Sequence, residues 1–178
     1  MTQRFTAYSD GSCHHFLPNK PGGAAYIIFD SYDKEVKRAS KGFLNTSNNR
    51  MELLAIVSIV NSLPPNSFVT IYSDSKYSIN VLSGWWRASE NLDLIDKYRE
   101  LCHNKGVQVD FRWVRGHNGN PYNELCDQMA RSEYEKMAGK VFKSKRKKKE
   151  KANTQADNKE ELYYSQITTK GRRKSAKK

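Results

Sequence analysis

Long hydrophobic runs are absent from this sequence of 178 residues. Its uninterrupted apolar stretches are short, as LLAIV illustrates, whereas a membrane-spanning helix needs roughly 18 apolar residues. The N-terminal stretch MTQRFTAYSD also lacks the charged region, apolar stretch and small-residue cleavage site of a secretory signal. A hydrophobic content of 37% together with three tryptophans is typical of a soluble globular protein. We therefore expect no membrane segment and a cytoplasmic location.

Cysteine is scarce as well. The chain has three, Cys13, Cys102 and Cys126, an odd number without paired spacing. This argues against a disulfide framework and agrees with a reducing compartment. The stretches CHH at 13–15 and CH at 102–103 have no C-x-x-C or H-x-x-x-H partner, so the usual ligand spacing of a zinc site is missing. The sequence therefore indicates free thiols.

Net charge is nearly absent from residues 1–139, which hold 16 Lys and Arg against 15 Asp and Glu. Residues 140–178 hold 15 Lys and Arg against 4 Asp and Glu, which is +11 of the net charge of +12. The blocks KSKRKKKEK and KGRRKSAKK surround a polar middle, a pattern typical of a solvated, disordered arm. We place a domain boundary near Gly139, with a compact domain at residues 1–139 and a basic tail at residues 140–178.

The order of the local patterns predicts an α/β fold with a mixed sheet. Three strands in succession are followed by a helix, a strand, two helices, a strand and a last helix. Three antiparallel strands followed by crossover-linked strands give a mixed sheet with helices packed on its faces. The predicted strands are 4–9, 24–29, 35–43, 68–72 and 107–114, and the predicted helices are 48–63, 75–86, 93–104 and 121–137. The first helix is expected to be capped by Asn48 or Asn49.

Four acidic residues occupy positions that suit a shared site. Asp10 and Asp74 follow the apolar runs of the first and fourth strands, so both carboxylates emerge at one edge if these strands are neighbours. Each acid also has an ordinary interpretation: Asp74 as a helix N-cap, Asp10 as the start of an Asp-Gly turn, Glu52 and Asp127 as solvated helix positions. Glu52 fits that interpretation least, because its helix is rich in core residues and a carboxylate close to the protein core needs a partner.

Four motifs carry a resemblance to a known family. YSDGSC, NTSNNRMELLA, IYSDSKY and WVRGHNGNPYNELCDQMA, in this order, resemble type 1 ribonuclease H, a free-standing endonuclease that cuts the RNA strand of RNA/DNA hybrids. The resemblance covers about residues 4–135 and none of the tail. It implies the ribonuclease H-like fold, a five-stranded mixed sheet in order 3-2-1-4-5 with helices on both faces. It further implies hydrolysis that leaves 3′-hydroxyl and 5′-phosphate ends.

The resemblance also implies a metal site. It makes Asp10, Glu52, Asp74 and Asp127 the ligands of two Mg²⁺ ions, with Mn²⁺ as a possible substitute, and His117 the mobile catalytic histidine. Two divalent cations about 4 Å apart serve both ends of an in-line phosphodiester displacement, and hard cations take oxygen ligands. Imidazole has a near-neutral pKa that suits proton transfer near the leaving oxygen or the product phosphate.

A further set of residues matches family positions that contact the hybrid. A protein tells RNA from DNA by reading the 2′-hydroxyl across a wide, shallow minor groove. The long basic insertion of many bacterial members is missing, so substrate grip must come from elsewhere. We expect one of the two adjacent tryptophans to pack in the core. The matched positions are Gly11, Ser12, Cys13, Asn48 and Asn49 in the groove, Ser47 at a DNA-strand phosphate, Trp85 and Trp86 at the DNA sugars, and Lys76 where glutamine is common.

Other functions remain open at this stage. An inactive hybrid-binding module would have the same fold, and a resolvase or an integrase would share the acids without the NNRMEL and GHNGN motifs together. A ribonuclease H domain related to reverse transcriptases is the nearest alternative, although the start at Met1 and the tail favour a free-standing protein. We expect a monomer whose partner is the RNA/DNA hybrid.

Overall fold

Among the residues that the computed structural model describes, five strands form one mixed sheet. They are β1 (Gln3–Cys13), β2 (Gly22–Asp30), β3 (Glu35–Phe43), β4 (Ser67–Ser73) and β5 (Gln108–Trp113). The order is β3-β2-β1-β4-β5, with antiparallel pairing among the first three strands and parallel pairing of β4 with β1 and of β5 with β4. The predicted order 3-2-1-4-5 is therefore confirmed.

The structure describes residues 2–140, 142 and 143. One compact unit spans Met1–Ala138, and a second unit begins at Gly139. The prediction of a disordered basic tail at 140–178 falls, apart from residues 140, 142 and 143, outside the described residues. None of the helices in the described part of the chain is long and apolar enough to cross a membrane.

In the part of the chain that the structure describes, four helices accompany the sheet, and their ends differ in detail from the predicted ones. They are α1 (Asn48–Ser62), α2 (Lys76–Leu82), α3 (Leu92–Lys105) and a helical segment at residues 121–140, here called α4. The N-cap of α1 is Ser47, whose Oγ accepts a hydrogen bond from Arg50 N at 3.3 Å, so the expected Asn48 or Asn49 cap was wrong. The second helix ends at Leu82, before the predicted residue 86.

The apolar core lies on both faces of the sheet. On one face, α1, α2 and α3 bury a large cluster that includes Leu53, Ile56 and Ile71. On the other face, α4 packs Cys126 and Ala130 against β2. Fully buried aliphatic side chains of this kind each contribute on the order of 1.5–3 kcal/mol relative to exposure. Both faces of β2 are therefore covered, and the strand reads GGAAYIIFD, an almost continuous apolar run.

Candidate active site

Parallel pairing of β1 with β4 brings two acids together. The register pairs Ala7 with Ile71 and Tyr8 with Tyr72, and its continuation by two residues sets Asp10 beside Asp74. The first strand runs on to Cys13, so Asp10 lies inside β1. The sequence had suggested a strand end or the start of a turn at Asp10, and both suggestions were wrong. The placement of the two carboxylates at neighbouring positions is nevertheless as expected.

Asp74 is not the cap of the helix that follows it. Ser75 takes that position, and its Oγ accepts a hydrogen bond from Ser78 N at 3.2 Å. The ordinary interpretation of Asp74 as an N-cap is therefore wrong, and its carboxylate is left for other contacts.

A glycine allows α1 to deliver the third acid. A Cβ atom on Gly11 would collide with the backbone nitrogen of Glu52, so only glycine permits this approach of β1 to α1. The approach places the Glu52 side chain, which is 5% exposed, beside the neighbouring strands. Asp10, Glu52 and Asp74 each offer a carboxylate oxygen, and these oxygens lie within 4.8 Å of one another.

The electrostatics of this acidic triad, Asp10, Glu52 and Asp74, are unfavourable for three free carboxylates. Burial, followed by the charge of Asp74, raises the pKa of Asp10, although the Gly11 amide donates to its Oδ1 at 2.7 Å. Burial and the charges of the other two acids raise the pKa of Glu52 well above its usual value. Glu52 Oε2 is buried, and no donor in the described residues reaches it. Orphaned carboxylate oxygens of this kind are what a hard cation needs, so the triad fits a divalent metal site.

Uncharged groups hold Asp74 in place. Asn123, 2% exposed, directs its Nδ2 at Asp74 Oδ2 over 3.4 Å, and Trp113 Nε1 donates to the Asp74 carbonyl at 3.1 Å. Gly116 lies so close to Asp74 Oδ2 that a Cβ there would collide with it. The Asp74 carboxylate therefore lies between a neutral donor, Asn123, and the backbone of Gly116. These neighbours fix its direction and carry no positive charge.

Asp127, the fourth predicted ligand, has partners of its own. Arg131 Nε donates to its Oδ1 at 2.8 Å, one helical turn further along α4, and His117 Nδ1 lies 3.8 Å from its Oδ2. Asp127 lines the same cavity as the triad but is not one of the three acids whose oxygens lie together. Its role as a metal ligand stays a prediction.

His117 lies in the loop between β5 and α4. Its side chain is 68% exposed, and its backbone adopts φ 52°, in the left-handed region. Few residues other than glycine occupy that region, and such positions are common at functional sites. With Nδ1 turned towards Asp127, Nε2 is the nitrogen that remains available to a substrate.

The cavity around these groups has a volume of about 370 Å³. Three of the predicted substrate-contacting residues, Gly11, Ser12 and Asn48, belong to its lining. Cys13 is buried, and its backbone nitrogen donates to Asn48 Oδ1 at 3.0 Å, which orients the Asn48 side chain. The full lining is Asp10, Gly11, Ser12, Asn48, Glu52, Asp74, Ser75, His117, Asp127 and Arg131.

The remaining predicted contact residues lie outside this cavity. Ser47 lines a neighbouring groove with Arg50, and Asn49 is exposed in the first turn of α1. Trp85 and Trp86 are 81% and 52% exposed. The expectation that one of the two packs in the core was therefore wrong, because the helix ends before them and the chain turns outward.

Three residues around the site were not identified from the sequence. Arg131 follows Asp127 by four positions in a helical pattern, a spacing that does predict an ion pair. Asn123 and Trp113 act through contacts between distant elements, for which the sequence carries no local signal. Trp113 also lies under the Nζ of Lys76, 4.5 Å from the ring centre, and so orients the last predicted contact residue by a cation–π interaction.

Comparisons with known proteins agree with this arrangement. The sequence model of the RNase H family matches residues 2–135. A Ribonuclease H of Trichodesmium erythraeum is 39% identical over 147 residues, covering 73% of this chain and 90% of that protein. A Ribonuclease HI of Haemophilus influenzae is 32% identical over 142 residues, covering 74% of this chain and 90% of that protein.

Solved structures show the same fold. LC9-RNase H1, described as a type 1 RNase H with the type 2 active-site motif, superimposes with a TM-score of 0.61 at 25% identity, over 74% of this chain and 72% of that one. RNase H1 of Halobacterium salinarum gives 0.62 at 17% identity, over 75% and 98%.

Proposed function

Because the chain belongs to the RNase H family and is a ribonuclease H, we propose that the cavity at Asp10, Glu52 and Asp74 is its active site. The reaction is endonucleolytic hydrolysis of the RNA strand of RNA/DNA hybrids. The observation that carries the assignment is the buried Glu52 Oε2, which has no donor in the described residues and lies among the oxygens of two further acids. A purely structural carboxylate at this depth requires a hydrogen-bond partner.

We assign the metal as Mg²⁺, two ions per site, with Mn²⁺ as a substitute. Asp10, Glu52 and Asp74 would hold the metal, and Asp127, in the same cavity, is the proposed fourth ligand. Bound divalent cations supply positive charge at the attacking and leaving oxygens of the phosphodiester. Arg131 keeps Asp127 in one orientation, because its guanidinium donates to Asp127 Oδ1 and leaves Asp127 Oδ2 directed at the loop of His117.

His117 is the proposed proton donor. Hydrolysis adds water to phosphorus and breaks the bond to the 3′-oxygen, so this oxygen needs a proton to leave as a hydroxyl while the phosphate stays on the 5′ side. Asp127 Oδ2 lies 3.8 Å from Nδ1 of the imidazole, so Nε2 is the nitrogen that can give a proton to the leaving oxygen. The exposed, glycine-flanked loop gives the ring room to approach that oxygen.

Groups beside the triad suit recognition of the hybrid. Gly11, Ser12 and Asn48 present backbone and small polar groups to the cavity, as reading a 2′-hydroxyl requires. Cys13 and Asn49 flank them, Ser47 would hold a DNA-strand phosphate, and Lys76, Trp85 and Trp86 would contact the DNA strand. We further propose that the protein acts as a monomer in the cytoplasm, with residues 1–139 as the catalytic domain and the basic tail as a separate segment.

A duplex panel tests the activity. The full-length protein with Mg²⁺ should cut the RNA strand of a labelled RNA/DNA hybrid and leave matched RNA/RNA and DNA/DNA duplexes intact. The Glu52→Gln variant serves as the control, because it keeps the size and burial of the side chain while removing the charge that holds a cation. Equal cleavage by this variant would refute the site, whereas binding of the hybrid without cleavage by the wild type would indicate an inactive binding module.

Replacement of His117 tests the proton transfer. His117→Ala should lower kcat by roughly 10²–10⁴, with an unchanged dependence of activity on Mg²⁺ concentration. Asn118→Ala, in the same exposed loop, provides the matched control and should retain kcat. Loss of the Mg²⁺-induced rise in melting temperature in His117→Ala would instead make the histidine a metal ligand.

A further inference from the structure

A second groove lies between β3 and α1 and shares no lining residue with the active site. Its volume is about 560 Å³. Tyr26, Ala39 and Phe43 from the sheet and Leu54 and Ala55 from α1 form its apolar part. Along α1, the groove extends from Leu54 to Ser62. Because no residue lines both cavities, a ligand in this groove leaves the hydrolytic site open.

The charge of this groove has one sign. Lys37 and Lys41 line it, and no acidic side chain among the described residues does. Lys105 is a third basic residue near the groove. Burial, followed by the charge of Lys37, lowers the pKa of its amine. Its Nζ donates to the carbonyls of Val60 and Asn61, at 3.2 and 2.8 Å, so the negative end of α1 is already satisfied. An anionic partner is the complement that this groove lacks.

The same groove is bordered by an open strand edge. Within the described residues β3 pairs only with β2, and it occupies one edge of the sheet. Side chains alternate along it: Lys37, Ala39 and Lys41 line the groove, while Ser40, which also borders it, directs its Oγ to Glu133 of α4 and donates to it at 3.1 Å. The backbone thus offers hydrogen bonds to an added strand, next to pockets for every second side chain of that strand.

The spacing of the cations decides between possible occupants. A second copy of β3 in antiparallel pairing centred on Ala39 would set Lys37 against Lys41, and like charges in direct opposition are destabilising. A nucleic-acid strand would satisfy the lysines but has no amide groups to pair with the strand edge. A peptide can pair with the edge, fill the apolar part and present carboxylates at alternate positions.

We propose that the groove between β3 and α1 binds an extended acidic peptide segment of a partner protein. The segment adds to β3 as a sixth strand and places an acidic, an apolar and an acidic side chain opposite Lys37, Ala39 and Lys41. The recognised pattern is acid-x-apolar-x-acid, because side chains two residues apart lie on one face of a strand. The groove would thereby tether the enzyme to another protein during hydrolysis.

Fluorescence anisotropy with two labelled peptides tests the pattern. The probe TDTLTDT carries its acids and leucine on one face, and TDTLDTT has the same composition with one acid on the other face. The full chain contains 15 Lys and Arg after residue 139, which attract any acidic peptide. The difference between the two peptides therefore carries the information. We expect TDTLTDT to bind roughly fivefold more tightly at physiological salt. Equal binding of the two peptides, or no binding, would overturn the proposal.

Charge reversal locates the binding. The variant with both Lys37→Glu and Lys41→Glu should lose the preference for TDTLTDT, whereas Lys34→Glu, an exposed lysine in the turn before β3, should keep it. Hybrid cleavage by both variants reports that the fold is intact. A preference retained in the double variant would refute the groove as the site. If the double variant instead loses roughly tenfold in affinity for dodecathymidylate, the groove is a nucleic-acid surface and the proposal fails.

Discussion

At the scale of single residues, the triad combines burial with like charge. Asp10 and Glu52 are each 5% exposed, although a charged group at this depth is stable only when paired or bound to a metal. Natural active sites often retain such unfavourable arrangements at the expense of stability. We therefore expect the folded protein to be more stable when the charges of these acids are neutralised than when they are unpaired.

Asp10→Asn should abolish hybrid cleavage while the free energy of unfolding in the absence of metal stays the same or rises by roughly 0.5–2 kcal/mol. The reason is that the amide removes a buried charge beside Asp74. Urea unfolding with and without Mg²⁺ measures this, and Mg²⁺ should stabilise the wild type more than the variant. Asp96→Asn, at an exposed ion pair in α3, is the control and should retain cleavage. Near-wild-type turnover of Asp10→Asn in Mg²⁺ would show that the metal assignment is wrong.

Asn123→Asp replaces the neutral donor to Asp74 by a second buried acid of the same size. We expect it to lower the free energy of unfolding by about 1–3 kcal/mol, the usual cost of an unsatisfied buried group. In an Asp74→Asn background the cost should be smaller, because the new amide can donate to the new carboxylate. A double-mutant cycle by urea unfolding measures this coupling. Strictly additive costs would mean that the contact over 3.4 Å does not hold Asp74.

At the scale of elements, close approach to β2 and β1 depends on glycines. Gly11 admits α1, and Gly23 admits α4, whose Ala130 carbonyl would collide with a Cβ on that residue. These two contacts set the positions of Glu52 and Asp127 relative to Asp10. The geometry of the site thus depends on two places where the strands carry no side chain.

Gly23→Ala should lower the free energy of unfolding by roughly 1–3 kcal/mol, since an extra methyl group forces α4 away from the sheet. Gly139→Ala is the matched control: nothing lies within 4 Å of its added Cβ, and alanine favours a helix. Urea unfolding of both variants provides the measurement. A Gly23→Ala protein as stable as the wild type would contradict the packing of α4 on β2.

At the scale of the whole molecule, charge and chemistry are separated along the chain. Residues 1–139 have a net charge of +1, and the residues after them carry +11. We therefore expect long-range attraction of a polyanion to come mainly from the basic tail, and strand choice to depend on groups in the cavity.

A chain ending at Gly139 should keep its choice of strand and a similar kcat, but should show a higher KM at physiological salt. Each phosphate that the tail neutralises steepens log K against log salt by about 0.9 for a B-form duplex, so the truncated protein should have the flatter slope. Cleavage kinetics over a salt series compare the two proteins. Superimposable curves would mean that the tail does not contact the substrate.

The sequence by itself determined the order of the elements, because alternation predicts strands and helical spacing predicts helices. The resemblance that its motifs carry implied the sheet order and the four acids. Parallel register then sets Asp10 beside Asp74, as continuation of the pairs Ala7–Ile71 and Tyr8–Tyr72 shows.

Only the tertiary structure decided which partners each of these side chains has. Asp127 is held by Arg131, Asp74 by Asn123, and Trp86 is exposed, because each outcome depends on how far two distant segments approach. The groove beside β3 likewise depends on the distance between a strand and a helix, and no single stretch of the sequence specifies that distance. Local propensities act over a few residues, whereas packing distances result from all the side chains between two elements, and this is why the sequence indicated the acids but not their surroundings.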